Sequence, residues 1–490
     1  MPAPFKHAAL IVAGHGSTLN PDSSAPTLRC ADTIRRRDLF AEVTCAFWKE
    51  EPSMREVFYS VNSDLIFIVP NFISEGYFTR EVLPRELRLD GQVTRRDGKT
   101  IIYCDPVGIH QSMTKLLLHR AKEVAPHVPR SETSLVIVGH GTGLNEQSRK
   151  AIEAQVAFIR EGSHGFAEVL DAYMEEAPLV AQWDEIASAP NVVVVPFFIA
   201  DGLHSYQDIP VLLGMVAEPT AAASQSEVFR HNPHQLRGRN LYYSSSVGTD
   251  DLMVDVILDQ VNDAAEKYDG DIGSPCGHVK YTQSLWPVGQ PFTFGQVRVN
   301  PQTTGDWVLH HVDDATPTVA QSFDEPESAR EIALHDDAGN FRALKTAPTL
   351  KHGWSLRLQS DQDLDLALEC FYPGAPGLWR HFQSGALKPV PLRETLGRQT
   401  GMYRFSNTIS DDDAERMIAC ECDAKTKCLR RITWKLSDSQ PIVSLSPDKR
   451  PLKEPAKDDP VLICVEACTH LVSAAREISK ANFAAKNPAK

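Results

Sequence analysis

Short apolar runs alternate with amphipathic stretches as far as Gly270. Strand candidates are Ala8–Val12, Leu65–Val69 and Thr100–Tyr103, then Leu135–Val138, Asn191–Val195 and Leu241–Tyr243. Each is brief and aliphatic, the pattern of strands buried on both faces. Between and after them, stretches such as Ser112–Val124 and Asp250–Tyr268 carry apolar residues at helical spacing. Strand and helix in alternation predict parallel sheets covered on both sides, an α/β architecture.

The pattern is written twice. ALIVAGHGSTLN at Ala9–Asn20 returns as SLVIVGHGTGLN at Ser134–Asn145. AFWKEEP at Ala46–Pro52 returns as AYMEEAP at Ala172–Pro178, and LIFIVPNFI at Leu65–Ile73 as NVVVVPFFI at Asn191–Ile199. Gly76, Pro84, Tyr103, Val107 and Gly108 match Gly202, Pro210, Tyr243, Val247 and Gly248. A repeat of this extent predicts two tandem copies of one parallel-sheet unit, over residues 1–125 and 130–267.

Composition shifts beyond Gly270. A proline-spaced connection leads to Pro301. From Trp307 to Gly397 the pattern is mixed and strand-rich (WVLHHV, GWSLRL, LALECFY). It carries no chemical motif and reads as a small α+β accessory module, residues 290–398, with a packing or bridging role. Residues 399–490 form a cysteine-rich segment. SDDDAERMIACEC reads as a helix capped by Ser410. Pro447–Asp459 reads as a loop. Cys464 and Cys468 are expected four apart on one helix face, and the tail from Ala481 is expected to fray.

A chain of 490 residues with 42% hydrophobic positions supports three or four packed domains. The net charge of −14 argues against general nucleic-acid binding, which needs a basic face. No apolar run approaches the ~18 residues of a membrane span. The N-terminus enters the first strand without a signal-peptide pattern, so a cytoplasmic location is expected.

The candidate chemistry sits where the strands end. His140 follows Leu135–Val138 between Gly139 and Gly141, at the strand's carboxyl end, where open α/β sheets bind ligands. His204 follows Asn191–Val195 and the turn glycine Gly202. Neighbouring parallel strands end at one edge, so the two histidines can converge there, with Glu175 and Glu176 between them in sequence. Two neutral imidazoles and a carboxylate suit Co²⁺, Fe²⁺ or Ni²⁺. They also suit proton abstraction near neutral pH. Read singly, the same residues are a turn histidine and a solvated acidic pair. The first copy departs from the pattern: Phe78 stands for His204 and Lys49 for Glu175, while Glu50 matches Glu176 and only His15 remains of the two histidines. This half reads as a degenerate scaffold in which His15 either contacts substrate or is a turn residue.

The GHG turn, AYMEEAP and VPFFIADGLH together resemble the class II, CbiX-type tetrapyrrole chelatases. The resemblance covers both halves of residues 1–267. It implies insertion of Co²⁺, or Fe²⁺ or Ni²⁺ in relatives, into a sirohydrochlorin-type macrocycle without ATP, in cobalamin or sirohaem biosynthesis. It also implies that His140 and His204 bind the metal and take pyrrole protons, assisted by Glu175. Exchangeable His and Glu ligands suit metal transfer better than thiolates. The macrocycle's carboxylates fit the backbone N–H groups at Gly141–Gly143 and the helix start behind them.

Ten cysteines are present. Five of them, Cys420, Cys422, Cys428, Cys464 and Cys468, fall in the last fifth of the chain. In a reducing compartment this clustering points to metal or Fe–S ligation. Four ligands make one cluster. Cys428, Cys464 and Cys468 are expected to be three of them, with Cys420 or Cys422 as the fourth. A zinc site with four thiolates is the alternative. The segment also resembles the [4Fe–4S] region appended to some bacterial chelatase-like proteins. The leading expectation is therefore a sirohydrochlorin cobaltochelatase with a [4Fe–4S] cluster. The competing ones are an Fe–S redox or metal-sensing protein on a tetrapyrrole-binding scaffold, and a metallochaperone.

Overall fold

The computed structural model describes residues 5–141, 146–218, 227–272, 286–287, 289–314, 321–345, 349–385, 387, 390–397, 406–422, 461–462 and 464–486. The chain forms two compact units. One comprises Met1–Trp48 and Ser63–Val279, the other Lys49–Asn62 and Lys280–Lys490. Among the described residues no helix is long and apolar enough to cross a membrane.

The first unit holds two sheets of one design. β1 (Phe5–Gly14), β2 (Phe40–Phe47), β3 (Leu65–Pro70), β4 (Val93–Arg96) and β5 (Lys99–Tyr103) lie in the order β2-β1-β3-β5-β4. β6 (Thr133–Gly139), β7 (Glu168–Tyr173), β8 (Asn191–Pro196), β9 (His234–Leu236) and β10 (Arg239–Tyr243) repeat it as β7-β6-β8-β10-β9. Four strands of each sheet are parallel; β4 and β9 are antiparallel edges. Every residue of β3, β6 and β8 is buried, as continuous aliphatic runs in a covered parallel sheet should be. The chain leaves β6 toward β7 and then crosses to β8 on the other side, so the strand order reverses beside β6. The same happens beside β1.

Helices Ala25–Arg36, Met113–Val124, Glu146–Glu161 and Met253–Lys267 share one apolar core with both sheets. The halves of the unit are therefore not independent.

In the second unit β11 (Phe292–Phe294), β12 (Val297–Pro301), β13 (Trp307–His311), β14 (Gln321–Phe323) and β15 (Trp354–Leu358) form a sheet in the order β11-β12-β13-β15-β14. Only the β14–β15 pair is parallel. Trp307, Trp354, Leu356, Leu368 and Phe371 fill its core, with helix Asp361–Phe371 supplying the last two. Segment Lys49–Asn62 belongs here: a Glu51 carboxylate accepts from the Lys345 backbone N–H, and Arg55 pairs with Glu466 at 3.0 Å.

The C-terminal helices are Asp411–Cys422 and Thr469–Lys486. Ser410 Oγ accepts from the Asp413 backbone N–H at 3.1 Å, so the expected cap is present. Two expectations need correcting. Cys464–Cys468 precede the last helix as irregular chain rather than lying on it, and Glu466 between them pairs with Arg55. The tail does not fray at Ala481. Asn482 Nδ2 donates to the Thr408 carbonyl at 3.0 Å and to Asp413 at 3.2 Å, and the helix continues to Lys486. The expected loop at Pro447–Asp459 lies outside the described residues.

Buried amides join the two halves of the first unit. Gln155, fully buried on helix Glu146–Glu161, accepts from Thr114 Oγ1 at 2.9 Å and donates to the His110 carbonyl at 3.0 Å. Gln260 donates to the Pro106 carbonyl at 2.9 Å. Removing one member strands the other in a dry interface. Gln155→Ala is expected to lower stability by roughly 1–3 kcal/mol, read as a fall in the urea midpoint of this unit.

Candidate active site

Three neighbouring strands deliver the expected residues to one edge. β6 pairs with β7 as far as Gly139 opposite Tyr173, and with β8 as far as Val138 opposite Pro196. His140 is the next residue after β6, Glu175 lies two residues beyond β7, and His204 opens a helical turn after β8. The His140 and His204 rings stand edge-on with centroids 4.9 Å apart. His140 Nδ1 is 3.7 Å from Glu175 Oε2. The donors of the three residues do not all come within 4.8 Å of one another. The group is an open cluster of exchangeable ligands rather than a closed cage.

The loops are built for this. The His140 carbonyl accepts from the backbone N–H groups of Met174 at 3.0 Å and Glu175 at 3.2 Å, tying the turn after β6 to the one after β7. Gly141 has φ +68, and a Cβ there would meet Tyr173 Cβ at 2.6 Å and Glu176 Cγ at 2.8 Å. Only glycine fits both the conformation and the space. The adjacent glutamates go different ways. Glu176 turns to Arg149 at 3.7 Å, whose guanidinium also lies over the Tyr173 ring and donates to the Ala177 carbonyl. Glu175 faces His140. Gly143 lies outside the described residues.

The sequence reading missed Asp208. Its Oδ2 is 2.7 Å from His204 Nδ1, one helical turn on. A carboxylate there fixes the ring and leaves Nε2 as the free nitrogen. The signal was the i,i+4 spacing in HSYQD. Asp201, buried and accepting from the Ser246 backbone N–H at 2.8 Å, was also missed.

The matching edge of the first sheet is aromatic. His15 lies 5.1 Å from the Trp48 ring and 5.2 Å from Phe78, and Phe72 stacks on Phe78. Phe78 fills the position that His204 holds in the other half.

Of the five C-terminal cysteines, Cys422 and Cys464 are buried members of one apolar cluster with Met417, Ile418, Ala467 and Leu471, and Cys468 packs against it. Cys420, two residues before Cys422, faces outward and is exposed. Cys428 lies outside the described residues. Cysteines that share one apolar cluster are a donor set suited to an Fe–S cluster.

Comparison with known proteins agrees with this layout. The CbiX family model matches residues 9–124 and 134–264. A DR2241 stabilising domain matches residues 281–381, and a 4Fe-4S iron-sulfur cluster binding domain matches residues 384–477. A probable sirohydrochlorin cobaltochelatase of Halobacterium salinarum is 41% identical over 274 residues, covering 52% of this chain and 91% of that protein. A sirohydrochlorin cobaltochelatase of Methanopyrus kandleri is 27% identical over 142 residues, 27% of this chain and 96% of its own. The crystal structure of DR2241 from Deinococcus radiodurans, a multi-domain protein with structural similarity to chelatases and two additional novel domains, superposes with a TM-score of 0.72. It is 24% identical, over 97% of this chain and 99% of that one. Two CbiX repeats side by side, followed by a third sheet and a 4Fe-4S binding domain, make this chain a member of the CbiX chelatase family.

Proposed function

We propose that the chain inserts a divalent metal, Co²⁺ before Fe²⁺ or Ni²⁺, into a sirohydrochlorin-type tetrapyrrole without ATP. The observation that carries this is the pairing of His140 and His204 at the point where the strand order reverses, with Glu175 beside His140. The name of the Halobacterium salinarum relative supports cobalt.

The chemistry follows from the donor types. Each M²⁺ that enters the macrocycle replaces two pyrrole N–H protons, so the site must hold a metal weakly and accept two protons. His204, held through Nδ1 by Asp208, offers Nε2. His140 offers a second imidazole, and Glu175 supplies negative charge that favours both the ion and the imidazolium formed on proton transfer. Three described large apolar side chains stand exposed in the loops carrying these histidines and their first-half counterparts: Leu19, Tyr77 and Leu203. A flat, largely apolar macrocycle is a fitting partner for such side chains. In this reading the first half is a wall of the site, with His15 held among rings and contacting substrate at most.

His140→Ala and His204→Ala are each expected to cut the insertion rate by about 100-fold or more, and His15→Ala by far less. Anaerobic incubation with sirohydrochlorin and Co²⁺, followed by absorbance, checks this. Wild-type rates in either of the first two variants would sink the assignment, and Co²⁺ binding without turnover would leave a metallochaperone.

For the C-terminal region we propose a [4Fe–4S] cluster on Cys422, Cys428, Cys464 and Cys468. The cluster, when bound, supplies iron ligation that closes the chain between Cys428 and Cys464; the part of Cys422, Cys464 and Cys468 is to present their sulfurs from one apolar cluster. Cys422→Ser should abolish the brown colour of anaerobically purified protein, whereas exposed Cys420→Ser should keep it. Metal analysis that finds one zinc and no iron or sulfide would replace the cluster with a structural zinc site.

A further inference from the structure

One group of side chains in the second unit is used by nothing described so far. His311, the last residue of β13, is completely buried; its Nδ1 accepts from the Asp313 backbone N–H at 3.2 Å, and its Nε2 has no hydrogen-bond partner among the described residues. Such an atom needs an explanation. His352 lies against it, with ring centroids 3.8 Å apart and planes tilted by 47°. Asp313 completes the group. One donor atom each from His311, Asp313 and His352 lies within 4.8 Å of the others, and this is the one such group of three among the described residues.

The surroundings prepare a ligand set. His352 Nδ1 is 2.5 Å from Asp337 Oδ2, and the His352 backbone N–H donates to Asp337 Oδ1 at 2.8 Å. That carboxylate fixes the ring and leaves Nε2 free, the usual support behind a ligating histidine. Asp314 Oδ2 accepts from the Gly353 N–H at 3.0 Å, joining the loop after β13 to the approach to β15.

We propose that His311, Asp313 and His352 bind one borderline divalent cation such as Zn²⁺ or Co²⁺, with Asp337 positioning His352. Two imidazoles and one carboxylate are the donors such ions prefer, whereas Mg²⁺ and Ca²⁺ favour all-oxygen shells. Three protein ligands leave a position for water. β13 and β15 pair antiparallel up to His310 opposite Ser355, so the ion sits at the open end of that ladder. It would staple the exit of β13 to the entry of β15 and so clamp the third sheet.

The test uses the full-length His140→Ala/His204→Ala protein, purified anaerobically with its iron retained, so that neither the chelatase histidines nor free thiols compete. Equilibrium dialysis against Zn²⁺ with elemental analysis should find one saturable equivalent. Asp313→Asn and His352→Ala, both at exposed positions, should each weaken it at least tenfold, and Asp337→Asn should weaken it less, with unchanged circular dichroism. Zn²⁺ should raise the thermal midpoint of the parent but not of the His352→Ala variant. Absence of a saturable equivalent, or one that survives both Asp313→Asn and His352→Ala, would overturn the proposal. Neither result bears on the chelatase reading, because the chelatase histidines are already removed.

Discussion

The parallel register of β7, β6 and β8 is the constraint on which the candidate active site depends. Parallel strands all finish at one edge, and a chain that crosses from β7 over β6 to β8 must bring three connections to that edge. His140 and Glu175 stand within two residues of such an ending, and His204 opens the helical turn that follows β8. Because β6 ends opposite Tyr173 and Pro196, a slip of one residue would turn every buried side chain of β6 to the other face of the sheet. The aliphatic run Leu135–Val138 therefore fixes the chemistry as firmly as the histidines do.

Duplication explains why the two halves can carry different residues at matching positions. The two sheets share an apolar core through their helices, and Gln155 and Gln260 hydrogen-bond across the join. Losing the first half would expose that core, so the first half serves stability whether or not it does chemistry. At its own strand edge Trp48 and Phe78 pack around His15. Large rings fill space well but cannot ligate a metal, so Phe78 keeps the shape of this edge without replacing the imidazole of His204.

The sequence showed the repeat, the central strands and the two histidines, because continuous apolar runs and glycine-flanked turns are local signals. It did not show β2 and β7. These are sheet edges with part-exposed residues such as Glu42, Thr44 and Asp171, so their pattern is diluted. The resemblance named Glu175; that Glu176 instead lies beside Arg149, on a helix elsewhere in the chain, is a tertiary fact that the sequence does not carry. The choice of Cys422 over Cys420 rests on which face of helix Asp411–Cys422 packs against Leu471 and Cys464, a tertiary fact. The cluster of His311, Asp313 and His352 was invisible for the same reason. Its members come from two ends of a connection nearly forty residues long, in a module whose sequence carries no motif.

The three candidate metal sites differ in a way that matches the kind of holding each implies. Thiolates in a buried apolar patch bind tightly and release slowly, which suits a resident cluster. Imidazoles and a carboxylate backed by Asp337 and anchored on a buried ring suit an ion that stays to brace a sheet. His140, His204 and Glu175 lie on loops, partly exposed and not drawn into a closed cage. A site that must take up a metal, pass it to four ring nitrogens and receive protons in return has to remain open in this way. The looseness of that group is thus a requirement of transfer chemistry: closing it with a further protein ligand would bind the ion more firmly and deliver it less readily.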